Sequence, residues 1–352
     1  AFFTDYVDNG RTVSFCGDLH PSFHGSVVKA IASSKFATPH IIRSLVSLKP
    51  SYQSGAVFLS TMRSLFEAVC VSITPLSSTY YHLVIRCPWL AKKALPGHMF
   101  KVSRQRHVSY QQQHMSTQAV ALKVCKVDQD TGNLHFIFKR SDVASWWLSS
   151  VLPEEVLSCM GPTGVRLTVP VQTQQVLLIS DAQGLGVVSF YATALQARGH
   201  KVKVLLVNIE QALIDYCQEL YGLSYSTFLT FDGSKDAMLS AYMESDRVCI
   251  QGNARFVKTT YQHLRSTKGR NIPVVGAVHG PMQCMLKGIC AQCLQWQIDP
   301  NTLERTKAVY ACSWQDQPLE IVDFEHLIAR EDSCGLQKTL YNLWLSCRSK
   351  VE

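Results

Sequence analysis

Three kinds of hydrophobic pattern follow one another along the chain. Residues 12–17, Thr-Val-Ser-Phe-Cys-Gly, form a short apolar run that predicts a buried strand. Asp18-Leu19-His20-Pro21 interrupts it. Ser26–Ser34 then repeats with helical period, with Val27, Val28, Ala30 and Ile31 as the apolar face. Pro50, Ser51 and Ser54 break the pattern, and Ser60–Cys70 predicts one more helix. From Tyr80 the segments shorten. Tyr80–Arg86, His98–Arg104, Ala119–Val127, Leu134–Lys139 and Val156–Met160 predict strands, with Pro96-Gly97 and Asp128–Gly132 as turns between them. Such a series predicts a small antiparallel barrel or sandwich. Val143–Val151, carrying Trp146 and Trp147, predicts a helix inserted before the last of these strands. From Gln175 the pattern changes again. Apolar runs at Val176–Ser180, Val202–Val207, Phe228–Phe231, Val248–Gln251 and Val274–Val278 alternate with helical patterns at Val187–Arg198, Ile209–Leu220, Ala237–Tyr242 and Ala254–Ser266. Strand–helix alternation predicts a parallel sheet with helices on both faces. Beyond Pro281 periodicity weakens and cysteines cluster; Leu319–Ala329 and Leu336–Leu345 predict closing helices.

Composition narrows the class. With 47% hydrophobic and 17% charged residues, the chain is a folded protein. No apolar run reaches the roughly 18 residues a membrane span needs. The first residues lack the basic and apolar segments of a signal peptide. The missing initiator Met suggests a fragment or a processed chain. Thirteen cysteines, an odd number spread over 352 residues, suit a reducing cytoplasm better than a disulfide framework.

Charge is distributed unevenly. Residues 19–127 hold thirteen Lys and Arg and a single acid, Glu67, whereas the whole chain carries only +8. A basic front third asks for an anionic partner. Its charges are scattered through apolar segments, so a phosphate-bearing small ligand or an acidic protein surface suits it better than nucleic acid.

The most specific local feature is Cys284, Cys290, Cys293 and Cys312, spaced C-x5-C-x2-C-x18-C. Four thiolates hold an iron–sulfur cluster or close a tetrahedral zinc site; the third reading is four unlinked thiols. Zinc sites commonly pair two short knuckles, and only one spacing here is short, which favours iron and sulfur. The other nine cysteines sit singly on mostly apolar segments and read as packing residues.

Ser180-Asp181-Ala182-Gln183-Gly184-Leu185-Gly186 follows the first strand of the α/β part and opens a helix. A dinucleotide phosphate loop belongs there, because backbone N–H groups and a helix N-terminus meet the pyrophosphate. A plain strand–helix turn is the other reading, since Gly184 and Gly186 are two glycines where a full fingerprint has three. Gly252-Asn253 follows the fourth strand at the sheet edge where ligands bind in such folds. Gly161-Pro162-Thr163-Gly164 makes a rigid turn out of the barrel. His20 and His24 have helical metal-ligand spacing, but Pro21 between them makes them loop residues.

Taken together, residues 75–315 resemble the ferredoxin-reductase superfamily. The nearest branch is similar to the electron-transfer subunit of dihydroorotate dehydrogenase, with its flavin barrel, nicotinamide domain and 2Fe–2S loop in that order. Pro96-Gly97-His98-Met99-Phe100 resembles that family's Pro-Gly-Gln-Phe segment. Arg106-His107-Val108-Ser109 resembles its Arg-Pro-Ile-Ser motif, whose Arg meets the flavin pyrophosphate and whose Ser sits near the ring. Gly161-Pro162-Thr163-Gly164 matches its Gly-Pro-x-Gly, and Gly184-Leu185-Gly186 the end of its glycine loop. Ala182 and Gln183 replace glycines of that loop, and Asp181 adds a negative charge near the expected phosphates. The cysteine region, with Ala311-Cys312-Ser313-Trp314, resembles the C-terminal parts of large bacterial proteins that fuse this module to a glutamate-synthase-small-subunit-like flavoprotein. Cys16-Gly17-Asp18 and the helix after it resemble the last piece of a two-dinucleotide flavoprotein domain.

The resemblance implies five parts. Residues 1–50 would be the flavoprotein remnant and 51–75 a linker or helix. Residues 76–172 would form the FAD-binding barrel, 173–280 the NAD(P)-binding α/β domain, and 281–352 the iron–sulfur loop with C-terminal helices. It implies an oxidoreductase in which FAD takes a hydride from NAD(P)H and passes single electrons through a 2Fe–2S cluster. The partner would be a flavoprotein or a missing upstream domain, with no nucleic acid and no membrane span. Arg106, with Arg104, would neutralise the FAD pyrophosphate, and Ser109 would orient the ring. Gly161, Pro162, Thr163 and Gly164 would line the flavin, Gly184, Gly186 and Gly252 the nicotinamide phosphates, and the four cysteines would bind iron. Two alternatives stay open: a relay that keeps fold and cluster without binding nicotinamide, and a zinc-bearing binding protein.

Overall fold

The computed structural model describes residues 3–8, 11–46, 48–49, 52–104, 108–110, 113–115, 118–223, 226–228, 235–266, 272–280, 282–284, 286, 288–333 and 335–348. The chain forms two compact units, Ala1–Ser60 and Thr61–Glu352.

In the first unit a hairpin of β1 (Thr4–Asp8) and β2 (Arg11–Ser14) precedes a long helix, α1 (Val27–Val46). The strand is shorter than its apolar run predicts and the helix extends twelve residues past Ser34. The Phe3 ring packs beside His20 and Phe23 at centroid distances of 5.2 and 6.0 Å. Gly17 N–H donates to Ser33 Oγ at 2.6 Å, and Asp18 Oδ1 accepts from Gly25 N–H at 2.8 Å, which closes the turn into α1. The next helix, α2 (Gly55–Phe66), runs on into the second unit.

The second unit begins with an antiparallel sheet. Its members in chain order are β3 (Ala68–Pro75), β4 (Tyr80–Arg86), β5 (Met99–Arg104), β8 (Val120–Lys123), β9 (Lys126–Asp128), β10 (Asn133–Lys139) and β11 (Val156–Thr163). Short α3 (Pro88–Ala91) and α4 (Val143–Leu148) are inserted, and β6 (Val108–Tyr110) pairs with β7 (Gln113–Met115) as a separate hairpin. The spatial order is β8-β5-β11-β3-β4-β10-β9. The two edge strands are consecutive in the chain. Val124 N–H donates to His98 O at 3.1 Å and Cys125 N–H to His135 O at 2.8 Å, so the chain turns a corner there and the sheet curls back on itself. Inside lie Leu83, Ile85, Phe100, Leu122, Leu134 and Phe136. Phe100 and Phe136 meet edge to face at 5.5 Å.

The α/β part orders its sheet β14-β13-β12-β15-β16-β19. The strands are β12 (Gln175–Ser180), β13 (Lys201–Val207), β14 (Ser226–Phe228), β15 (Arg247–Gly252) and β16 (Val274–Val278), all parallel, with β19 (Gln317–Pro318) antiparallel at the edge. Residues Val176 and Leu178 face α5 (Leu185–Gln196) and α6 (Gln211–Tyr221). Leu177 and Ile179 face α7 (Lys235–Glu244), α8 (Ala254–Arg265) and α9 (Phe324–Ser333). Burial on both faces is why these strands read as unbroken apolar runs. A hairpin of β17 (Leu294–Ile298) and β18 (Arg305–Tyr310) carries the cysteine region. The last helix, α10 (Gly335–Arg348), sets Trp344 edge-on against Trp146 of α4 at 5.0 Å. The observed architecture is thus the expected barrel-like antiparallel sheet followed by a parallel α/β sheet. Among the described residues no helix is long and apolar enough to cross a membrane.

A buried polar chain joins the barrel to the α/β part. Tyr216 O–H on α6 donates to His82 Nδ1 on β4 at 2.5 Å, which leaves His82 Nε2–H to donate to His135 Nδ1 on β10 at 3.1 Å. Burial holds both histidines down to about 4. The unfolded chain therefore binds more protons between the ordinary histidine range and pH 4. The contribution of these groups is full above pH 6.5 and is lost as pH falls through that window. Urea unfolding should show a loss on the order of 2 kcal/mol per histidine by pH 5. A His82→Gln variant should flatten that slope; an unchanged slope would contradict the assignment.

Candidate functional site

Two places collect the predicted residues. The first is where the barrel mouth meets the cysteine loop. Gly161 lies against the Phe100 ring, which fills the space a Cβ would take, and Pro162 follows it on β11. Thr163 Oγ1 donates to Leu286 O at 3.4 Å. Gly164 has φ +77°, and a Cβ there would stand 2.9 Å from Cys312 O. Both the backbone angle and the close approach require glycine. Met99, at the start of β5, packs with Leu286, Cys293, Ala311 and Cys312. Gln315 Nε2 donates to Gly97 O and to Val165 O, and Lys101 Nζ donates to Gln283 O. Segments 123 to 218 residues apart in the chain are thus stitched together at one end of the barrel.

Within the loop, Cys293 and Cys312 are buried, Cys284 is half-buried and Cys290 is exposed. Gly288 N–H donates to Cys312 Sγ at 3.2 Å, the kind of hydrogen bond that cluster sulfurs accept. Burial pushes the Cys293 thiol up to about 12; the Cys312 backbone N–H opposes this, while the Cys312 and Cys284 thiols add to it. Crowded, desolvated thiols are relieved by a bound cation, which draws off their protons. Residues Leu286, Gly288 and Ala291 all take left-handed backbone angles, coiling the loop tightly. Among the described residues, no three His, Cys, Asp or Glu side chains already stand at metal-binding separation. The donor set fits an iron–sulfur centre in kind, with Cys290 its most exposed member.

The residues present also fit an anionic cofactor on the barrel. Residues 68–127 contain no Asp or Glu, while Lys101 and Lys123 lie on β5 and β8. Lys123 Nζ stands 2.8 Å from His279 Nε2, which is 3.0 Å from Gln251 Oε1. Burial lowers Lys123 to about 7, and burial together with the Lys123 charge lowers His279 well below the ordinary histidine range. Periodicity gave no signal for this cross-domain pair.

Arg104 is turned inward. Its Nε and Nη2 donate to the two Glu155 oxygens, each at 2.7 Å, and Nη1 donates to Ser150 Oγ at 3.0 Å. The guanidinium lies 4.3 Å from the Trp147 ring centroid, and the Arg104 and Glu155 side chains are 7% and 5% exposed. Arg106 and the side chain of Ser109 lie outside the described residues.

The second place is a crevice of about 480 Å³ at the C-terminal ends of β12, β13 and β15, where doubly wound sheets bind ligands. Asn208, Asn253, Phe256, Asp181 and Gln183 line it from the α/β side, Tyr80 and Lys139 from the barrel. Asn208, just after β13, lines it and Glu210 does not. Gly184 and Gly186 open α5 here. A Cβ on Gly184 would lie 2.6 Å from Gln251 O, and one on Gly186 would lie 2.8 Å from Cys125 Cβ of the barrel. Close packing therefore already requires both glycines.

Comparison with known proteins bears on the fold. No family model matches the chain. An uncharacterized protein of Rickettsia prowazekii (strain Madrid E) is 27% identical over 331 residues, 94% of this chain. The chain spans 41% of that relative's length. The solved structure of an NADH-dependent reduced ferredoxin-NADP oxidoreductase, presented for flavin-based electron bifurcation, matches 80% of this chain and 98% of its own with TM-score 0.64 at 18% identity. A ferredoxin reductase of carbazole 1,9a-dioxygenase matches 58% of this chain and 66% of its own, with TM-score 0.46 at 16% identity. The fold of Thr61–Glu352 is ferredoxin-reductase-like: a curled antiparallel sheet followed by a nucleotide-binding-type α/β domain.

Proposed function

We propose that the chain is the electron-transfer module of a flavin oxidoreductase, with FAD on the barrel and a 2Fe–2S centre on Cys284, Cys290, Cys293 and Cys312. The observation that supports this best is the contact of the barrel mouth, at Met99 and Gly164, with Cys293 and Cys312. It brings the surface that would carry a flavin against the thiols that would carry iron. A flavin with a cluster converts between two-electron and one-electron transfer.

The chain's own residues have four tasks in this reading. Arg106 neutralises the FAD pyrophosphate and Ser109 orients the ring. Gly161, Pro162, Thr163 and Gly164 hold the barrel exit against the cysteine loop. Arg104 acts as a positioning residue, because Glu155 and Ser150 use all three of its nitrogens. Gly288 N–H lowers the charge on the Cys312 sulfur. The basic charge of residues 19–127 exceeds what one cofactor neutralises and suits an acidic partner flavoprotein or a further domain of the same polypeptide. Two electron sources are open in this reading, NAD(P)H or that partner.

Cofactor content of protein prepared without air tests the reading. Bound FAD with iron and inorganic sulfide supports it. A colourless protein holding zinc and no flavin refutes it in favour of a zinc-bearing binding protein.

A further inference from the structure

The α/β crevice has the place of a dinucleotide site, but the donors that lead into the two helices facing it are already engaged. Asp181 follows β12 and turns its carboxylate back into the loop. Its Oδ1 accepts from Gln183 N–H at 2.9 Å and Gly184 N–H at 3.2 Å. Its Oδ2 accepts from Asn253 N–H at 3.0 Å and Asn253 Nδ2–H at 2.8 Å. Two of these donors are backbone N–H groups that lead into α5, and the other two are the backbone and side-chain N–H groups of Asn253, the N-cap of α8. Gly252 makes the room: a Cβ there would lie 2.8 Å from the Asp181 carboxyl. Two further donors of α8 are engaged as well. Ala254 N–H donates to Glu331 Oε1 at 3.3 Å and Phe256 N–H to Asn253 Oδ1 at 3.0 Å. Arg255, the basic residue of the crevice on α8, pairs with Asp332 at 2.5 Å.

Backbone N–H groups at helix N-termini are the usual seat of a pyrophosphate. Here a side-chain carboxylate of the same charge sign takes that seat with four hydrogen bonds. A dinucleotide would have to eject it, stripping four donors from a half-buried carboxylate, or sit beside it as a like charge. Neither cost falls on a ligand without phosphates.

We propose that Asp181 is an internal anion that fills the pyrophosphate seat of the α/β domain and excludes nicotinamide dinucleotides from it. The exclusion holds whether or not flavin and iron are bound. Its consequence, that electrons reach the flavin from a partner protein rather than from NAD(P)H, rests on the electron-transfer reading. Gly184, Gly186 and Gly252 are then explained by packing and by room for Asp181, not by phosphate approach.

Calorimetric titration of the full chain with NADH and with NADPH tests this. The wild type is expected to bind both more weakly than about 1 mM, the weak end of ordinary substrate constants. Binding of either tighter than about 1 mM overturns the proposal. Asp181→Ala removes the carboxylate from the four donors and is expected to bind at least one dinucleotide at least about tenfold tighter, a change of about 1.4 kcal/mol. A folded variant that gains no affinity overturns the assignment to Asp181. Should Asp181→Ala fail to fold, Asp181→Ser keeps an acceptor for the Gln183 N–H while removing the charge, and carries the same comparison. The readout is independent of colour. Tight NADH binding would sink the exclusion and leave the electron-transfer reading standing. Absence of flavin and iron would sink that reading and leave the exclusion to be judged by affinity alone.

Discussion

Cys312→Ser protein is expected to be isolated with at least about tenfold less iron than the wild type and without long-wavelength absorption, while still folded. Cys312 is fully buried, its sulfur accepts the Gly288 N–H at 3.2 Å, and its neighbour Ala311 donates N–H to Cys293 O at 3.0 Å. Serine is nearly isosteric but presents a harder, less polarisable atom that stays protonated, so it holds iron poorly where thiolate holds it well. The position lies in a small cluster with Met99, Leu286 and Cys293, so the packing loss of one sulfur is modest. Cys217→Ser supplies the control. Cys217 is equally buried, but it packs among the helices α5 and α6 rather than at the loop. Iron measured by mass spectrometry should fall for Cys312→Ser and stay level for Cys217→Ser. Equal iron in both variants would remove Cys312 from the ligand set.

The second large effect belongs to Glu155. Glu155→Ala leaves the Arg104 guanidinium buried without its bidentate partner, and breaking such a pair costs about 3–5 kcal/mol. For a unit of this size that is a fall of roughly 10 °C in unfolding midpoint. Ser150 and the Trp147 ring remain, and neither carries a charge to offset the guanidinium. Replacing both partners by apolar residues, Arg104→Met with Glu155→Leu, should restore most of the stability, because no charge is then left unpaired. FAD affinity separates the two roles considered for Arg104. A phosphate ligand would cost the double variant its flavin; a positioning residue would let the restored fold keep it. Calorimetric unfolding read beside flavin content on both variants decides this.

Much of the fold was legible because burial and period coincide. Tyr80–Arg86 and Val274–Val278 are strands over just those residues, the second because every one of its side chains is enclosed between two helix layers. Where the polar pattern and burial part company, reading fails. Strand β17 turns Gln295 and Gln297 inward and Leu294, Trp296 and Ile298 to a half-exposed face. The two glutamines are satisfied through Gln317, at 2.6 and 3.2 Å, so a polar row is buried and the alternation carries the wrong sign. Strand β3 was absorbed into the helical pattern of Ser60–Cys70, which breaks at Phe66. Ala119–Val127 reads as one strand, but Val124 and Cys125 bond to different neighbours and fold it into two.

The candidate site divides in the same way. The cysteine spacing and the Gly-Pro-Thr-Gly turn are local features, and each was visible by itself; their meeting at Met99 was not. Arg104 shows the limit most plainly. A basic residue on a barrel strand suggests a phosphate, and nothing near it in the chain announces Glu155 as its partner. Asp181 was visible as a misplaced charge. That it bonds Asn253, seventy-two residues away, is a property of the folded sheet.

The central claim is that one chain joins a flavin to an iron–sulfur centre. Reductive titration of the air-free protein tests it most directly, followed in the visible and by electron paramagnetic resonance. The account predicts uptake of about three electrons per chain, two by flavin and one by the cluster, with a paramagnetic signal from the reduced centre that Cys312→Ser lacks. Uptake of two electrons with no such signal, or of none, would contradict it.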